Sequence, residues 1–301
     1  MVKKDFVGAM IAACVSIFAY QTGFFFFLFL VPLQLLMFKS GLRTTRIAVL
    51  GVGIALTYLG IRHTANMDAD IKGMLLLVEL SIPFLLLGGF LLANGSFGEL
   101  GGVLRNILLA TVITACLSVA IIYVLNNETF YNYYRKQFSE LLVPLMDMDV
   151  DTMLAHVSMV FYRGFLFAYF CILFVSYIFA LSIDRLTKHQ FGIITVMVPD
   201  YFIWVLIVAL SLILVDAKIG LNRAFESIGW NVFLIVMFLY GLKGMGMIRQ
   251  IMEVKKVPFM LRGLFTLLCV MLLLTPRYGL LLLIGIPCVG VSEIWFKYKR
   301  T

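Results

Sequence analysis

Long apolar stretches run along most of the chain, separated by short groups of charged residues, glycines and prolines. An α-helix needs about 20 apolar residues to cross the hydrocarbon core of a bilayer, which is about 30 Å thick. Division of the chain at its charged residues, glycines and prolines predicts an all-α, polytopic transmembrane bundle of ten spans, or eight if the first pair and the last pair each merge. The predicted spans lie near residues 5–21, 23–38, 45–62, 73–93, 104–125, 156–182, 198–216, 229–248, 258–275 and 278–296.

The longest polar connection, residues 126–155, lies outside the membrane in this arrangement. Its tyrosine-rich part, Tyr131–Phe138, also carries basic residues, and aromatic rings beside basic groups favour the membrane–water interface. We expect an interfacial helix there that breaks near Pro144. No repeat or low-complexity linker divides the rest of the chain, so the sequence predicts a single integral membrane domain over residues 1–301.

Composition strengthens this prediction. Hydrophobic residues make up 62% of the 301 positions and charged residues 13%, with a mean hydropathy of +1.04. Soluble domains are about 45–50% apolar and about 25% charged. So few charges cannot cover a water-facing surface of this size, which excludes a water-soluble globular enzyme, a disulfide scaffold and a disordered chain. The composition therefore predicts a multi-pass membrane protein that has the lipid bilayer as its first partner.

The formal net charge is +8, yet the basic residues form no continuous stripe that would bind nucleic acid. If the N-terminus is cytoplasmic, two thirds of the 24 Lys and Arg residues fall on the cytoplasmic side, as the positive-inside rule requires. The sequence thus predicts that both termini are cytoplasmic. The apolar stretch Phe6–Tyr20 follows two lysines as in a signal peptide, but it lacks a small-residue cleavage site, so we predict an uncleaved first span.

The sequence lacks the residue patterns of metal sites, cofactor sites and catalytic centres. Five cysteines lie in apolar stretches without a CxxC pair, and the three histidines have no HxxxH or HExxH spacing. The acidic run Asp147–Asp151 begins like a calcium loop, but Thr152 and Ser158 stand where such a loop needs Gly and Glu. We therefore predict that the chain is not an enzyme and binds neither a metal nor a cofactor.

Glu79 is the residue that points most directly to function. It lies inside the fourth span, seven residues after Lys72, the nearest basic residue. A carboxylate at that depth costs roughly 3 kcal/mol unless it is paired, protonated or hydrated. Pro83 follows four residues later, and its missing N–H leaves the carbonyl of Glu79 without a helical donor. Two interpretations stay open, a ligand-binding carboxylate and a carboxyl that hydrogen-bonds to a neighbouring helix for packing.

Four further side chains are predicted near the same outer level. Arg163 opens the sixth span, where its guanidinium extends to the interface or reaches Glu79, and Tyr162 precedes it. Trp230 and Asn231 begin the eighth span from the outside. Together with Glu79 these residues predict an outward-facing polar pocket with aromatic walls, which is typical of small-ligand sites.

Small residues predict close contacts between helices. A flat ridge on the first span, on which a partner helix can pack, comprises Gly8, Ala9, Ala12 and Ala13. The glycines of the segment Gly241–Gly246 are likewise expected to pack against a neighbouring helix. At the end of the last span, Glu293 and Lys297 have the spacing of a helical ion pair.

Three stretches of the chain resemble the YybS-like family of bacterial membrane proteins, a family of unknown function. They are Val31–Gln34 with Gly41, Val198–Trp204 with Asn231 and Leu239–Gly244, and Leu283–Gly285 with Glu293. The resemblance implies a multi-pass protein of the bacterial inner membrane.

That family in turn looks distantly similar to the S components of energy-coupling-factor vitamin transporters. S components bind a small solute in an outward-facing pocket and use an Ala-x-x-x-Ala ridge, here matched by Ala9 and Ala13, to dock a membrane coupling subunit driven by ATPases. The resemblance therefore implies a transport-type, solute-binding subunit. The alternative is a structural or assembly subunit that docks another membrane protein without transporting anything.

Overall fold

The computed structural model describes residues 2–23, 25–67, 69–95, 100–125, 127–142, 150–188, 198–220, 223–273 and 275–293. Over these residues the regular structure is helical throughout, which confirms the predicted all-α class. The described chain forms two compact units, Met1–Gly192 and Ile193–Thr301.

The first unit contains six α-helices and, before the second of them, a short 3-10 helix at Phe26–Leu28. The α-helices are α1 (Val2–Gln21), α2 (Val31–His63), α3 (Ala69–Asn94), α4 (Leu100–Leu125), α5 (Glu128–Leu142) and α6 (Val150–Thr187). The helices of the second unit are α7 (Phe202–Ile219), α8 (Arg223–Val254), α9 (Phe259–Leu273) and α10 (Pro276–Ser292).

Within the described residues, six helical segments are long and apolar enough to cross a membrane. They are Phe26–His63, Ile71–Asn94, Gly102–Val124, Asp151–Thr187, Phe202–Ile219 and Ala224–Val254. Shorter apolar helices, at Asp5–Gln21, Met260–Cys269 and Gly279–Ser292, coincide with the predicted first, ninth and tenth spans. These segments support a multi-pass helical membrane protein, while the count of ten spans and the cytoplasmic termini stay predictions.

Helix α2 divides at Gly41, whose backbone φ of 79° and ψ of 178° are not helical. A positive φ of this kind suits glycine because it has no Cβ. Before the break, α1 and α2 run antiparallel, since Gly8 lies against Leu36 while Tyr20 at the other end of α1 contacts the ring of Phe29. The break falls between the predicted spans 23–38 and 45–62.

The small-residue ridge of α1 is used inside the chain. Helix α1 packs along α2, and Ala9, Ala12 and Ala13 are buried. The prediction of close helix packing at Gly8 and these alanines agrees with this arrangement, but the helix that occupies the ridge is α2 rather than that of a separate subunit. The short turn after α1 brings α2 back along the face of α1 that carries its smallest side chains.

A reciprocal amide pair joins α2 to α3 in the interior of the first unit. The side-chain amide of Gln34 donates to Oδ1 of Asn94 over 2.8 Å, and the Asn94 amide donates back to Oε1 of Gln34 over 2.9 Å. Asn94 also donates to the carbonyl of Phe90. Both amides are buried, so each satisfies polar groups that apolar surroundings would otherwise leave without a partner.

In the second unit, α8 and α10 cross where Gly244 faces the backbone of Ile286 and Gly290. A Cβ on Gly244 would collide with that backbone, so the predicted packing role is confirmed here, whereas a Cβ on Gly246 would meet open space. Nζ of Lys243 lies 3.2 Å from Oε2 of Glu293 and ties the same two helices together. The other proposed partner of Glu293, Lys297, lies outside the described residues.

Substitution of Gly244 tests this crossing. In a helix, Gly→Ala ordinarily stabilises by about 1 kcal/mol. We expect Gly244→Ala to lower the melting temperature instead, because the methyl group must push the backbones of α8 and α10 apart.

The matched control is Gly246→Ala on the same helix, which is expected to leave the melting temperature unchanged or to raise it. Thermal unfolding of both variants in detergent micelles gives the comparison. Equal melting temperatures for the two variants would contradict the close contact.

Candidate functional site

A cleft of about 630 Å³ opens at the end of the first unit where α1 and α2 finish and α3 begins. Its walls combine ionisable, polar and apolar side chains. The lining residues are Tyr20, Gln21, Leu56, Leu59, Gly60, Arg62, His63, Glu79, Leu80 and Pro83.

Glu79 projects from α3 into this cleft, with 35% of its side chain exposed. Nδ1 of His63, at the end of α2, lies 3.4 Å from Oε2 of Glu79. That distance is long for a charge-assisted hydrogen bond, which is typically about 2.7–2.9 Å. The His63 side chain is itself 64% exposed, so the pair holds the carboxylate loosely at an open surface.

The backbone carbonyl of Glu79 also has a partner from another helix. Pro83 lies inside α3 and supplies no N–H to the Glu79 carbonyl. The hydroxyl of Tyr20, from α1, donates to that carbonyl over 3.3 Å. Tyr20 therefore replaces the missing helical donor and fixes the end of α1 beside the carboxylate.

Helix α5 begins at a side-chain cap and packs on α3, α4 and α6. Oδ1 of Asn127 accepts a hydrogen bond from the backbone N–H of Thr129 over 3.0 Å. Phe130 is fully buried, whereas Arg135 is exposed and forms an ion pair of 2.6 Å with Asp151 of α6. The helix is thus amphipathic, with the buried ring of Phe130 facing the bundle, while the interfacial location of residues 126–155 stays a prediction.

Tyr133 and Tyr134 lie on that side of α5. The hydroxyl of Tyr133 contacts the sulfur of Met67, in the turn between α2 and α3, at 3.7 Å. Burial raises the pKa of Tyr134, and the nearby Tyr133 and Glu79 raise it further. Helix α5 therefore packs beside the turn that leads into α3.

These groups can bind a ligand by several interactions. The carboxylate accepts hydrogen bonds or pairs with a positive charge, the Tyr20 phenol and Gln21 offer further polar contacts, and Leu56, Leu59 and Pro83 cover apolar parts of a ligand. Within the described part of the chain, no group of three or more His, Cys, Asp or Glu side chains is arranged to hold a metal ion.

Of the predicted pocket residues, Glu79 is found among the lining residues of this cleft. Arg163 and Tyr162 lie half-buried on α6, and Arg163 is not within ion-pair distance of Glu79, where the described residues place His63 instead. Trp230 and Asn231 belong to α8 of the second unit, where Asn231 is buried and donates to the carbonyl of Ser227 over 2.8 Å. The cleft residues all belong to the first unit.

Sequence reasoning missed Tyr20 and His63. Their signal was weak because each stands at the end of a helix, where aromatic and basic residues are ordinary interfacial anchors. The one sequence feature that called for a partner from another helix was Pro83, because its missing N–H leaves the Glu79 carbonyl without a donor in α3. Of the predicted acidic loop, Asp151 is described, whereas Pro144, Asp147 and Asp149 lie outside the described residues.

A double-mutant cycle tests the link between α1 and α3. Tyr20→Phe removes the donor to the Glu79 carbonyl, and we expect a loss of about 1 kcal/mol in the free energy of unfolding. Pro83→Ala supplies a backbone N–H to the same carbonyl, so Tyr20→Phe should cost much less in that background.

Tyr58→Phe is the control for the loss of a phenol, because Tyr58 is exposed on α2. Unfolding is followed by circular dichroism in detergent. An equal cost of Tyr20→Phe with and without Pro83 would show that the hydroxyl does not serve the freed carbonyl.

Comparison of the chain with protein-family models, with curated proteins and with solved structures finds no match. The relation to the YybS-like family therefore stays a prediction, and the cleft itself carries the functional argument.

Proposed function

We propose that the protein is a transport-type membrane protein that binds a small solute in the Glu79 cleft. The observation that carries this proposal is a partly exposed carboxylate, inside an apolar helix, at the wall of a cleft of about 630 Å³. Ligand pockets typically measure about 300–1,000 Å³ and combine apolar walls with a few placed polar groups. The cleft has this size and this mixture.

The position of Glu79 also supports a binding role over a packing role. A carboxylate retained for packing is expected to be enclosed by hydrogen-bond donors of the neighbouring helices. Here the neighbouring helix donates to the backbone carbonyl instead, and the carboxylate faces the opening with His63 as a loose partner. The side chain is thus available to a ligand.

The resemblance to S components supplies the rest of the proposal. On that basis the cleft opens to the outside of a bacterial inner membrane, the chain is not an enzyme, and a membrane coupling subunit with ATPases provides the energy. Because Ala9 and Ala13 are buried against the chain's own helices, such a subunit would dock elsewhere. The same burial weakens the alternative of an assembly subunit, which relied on that ridge and on the tyrosine-rich segment of residues 131–138.

Ligand-induced stabilisation tests the proposal. The protein, purified in maltoside micelles, is heated with members of a metabolite panel, and at least one solute is expected to raise the melting temperature. A ligand at 100 times its Kd stabilises by about 2.7 kcal/mol. The Glu79→Gln variant should fold, because Gln keeps the shape of the side chain, but lose the response.

Glu140→Gln is the matched control, since Glu140 is exposed on α5 and does not line the cleft. It should respond as wild type does. If no solute shifts the wild-type protein, or if Glu79→Gln responds equally to the active solute, the cleft is not the binding site.

A further inference from the structure

We propose that the solute is a small organic cation whose ammonium group binds the Glu79 carboxylate beside the ring of Tyr20. This inference rests on the proposed function, because it uses the same cleft, and it adds the chemical class of the ligand. It follows from the charges of the lining residues and from the aromatic ring of Tyr20 next to Glu79.

The carboxylate has no permanent positive partner. The acidic and basic lining residues are Arg62, His63 and Glu79. Arg62 is exposed, and within the described structure it forms no ion pair with Glu79. His63 is the group beside the carboxylate, and its contact of 3.4 Å is long for a charge-assisted hydrogen bond. A ligand that brings its own positive charge completes the pair.

An aromatic ring lies next to Glu79, since Tyr20 lines the cleft and its hydroxyl donates to the Glu79 carbonyl. The ring of Tyr20 is held by Phe26 and Phe29, with centroid distances of 5.6 Å and 5.4 Å. Ammonium groups are attracted to the faces of aromatic rings, and the attraction grows where water is excluded. A carboxylate beside a tyrosine thus suits an ammonium group better than a metal cation, which needs several oxygen ligands.

The apolar part of the cleft selects an organic cation over a bare ammonium ion. Leu56, Leu59, Leu80 and Pro83 offer surface to methyl or methylene groups next to the charge. An anion would meet the negative charge of Glu79. His63 occupies the place of the ligand in the structure, and its long contact and exposed ring make it easy to displace.

Choline and its neutral isostere 3,3-dimethylbutan-1-ol provide a matched pair of probes, since they share shape and differ in charge. Saturation-transfer-difference NMR in maltoside micelles detects either probe bound to the protein. We expect saturation transfer to the methyl groups of choline and much less to those of the isostere. In Glu79→Gln, the Kd for choline should rise about tenfold or more.

Glu140→Gln, exposed on α5, should bind choline as wild type does, and His63→Ala should bind it at least as tightly because the competing ring is gone. Equal transfer to choline and to the isostere in the wild-type protein overturns the inference without reliance on any variant. So does unchanged binding of choline by Glu79→Gln. A different outcome is that choline does not bind while an uncharged or anionic panel solute stabilises the protein through Glu79. The proposed function then stands, and the inference that the solute is a cation is wrong.

Discussion

Every polar group placed among apolar helices must find its partner within the protein, because hydrocarbon offers none. Threonines meet this need locally, as Thr57 and Thr111 do by donating to carbonyls one turn earlier. The amides of Gln34 and Asn94 meet it by pairing across α2 and α3. At Pro83 the helix lacks a donor, and the hydroxyl of Tyr20 comes from α1 to supply it.

This last hydrogen bond organises the candidate site. It brings the end of α1 to the Glu79 turn of α3, with the aromatic cluster around Tyr20 packed behind it. The end of α2, with His63, reaches the same level. Helix α5 is attached to the same unit through the buried ring of Phe130 and the Arg135–Asp151 ion pair. The helix with the missing Pro83 N–H thus shares the walls of the cleft with α1 and α2.

The sequence predicted the helices because apolar length is a property of each segment alone. It also predicted a binding site at the depth of Glu79 and Pro83. The depth of a residue in its span and the loss of a backbone N–H at a proline can both be read from one segment of sequence. The partners of Glu79 could not be predicted, because Tyr20 and His63 come from other helices and their approach depends on how the chain turns. The same dependence explains why the sequence left open whether Arg163 reaches Glu79 and did not predict His63 as the neighbour of the carboxylate.

The central claim is that Glu79 faces water at the outer end of the bundle rather than lipid. In a background whose five cysteines are replaced by alanine, Glu79→Cys is treated in intact cells with a membrane-impermeant maleimide, next to Ala93→Cys, a buried position on the same helix. The account predicts rapid labelling at position 79 and little at position 93. Absence of labelling at position 79 in folded protein, with full labelling after denaturation, would contradict it.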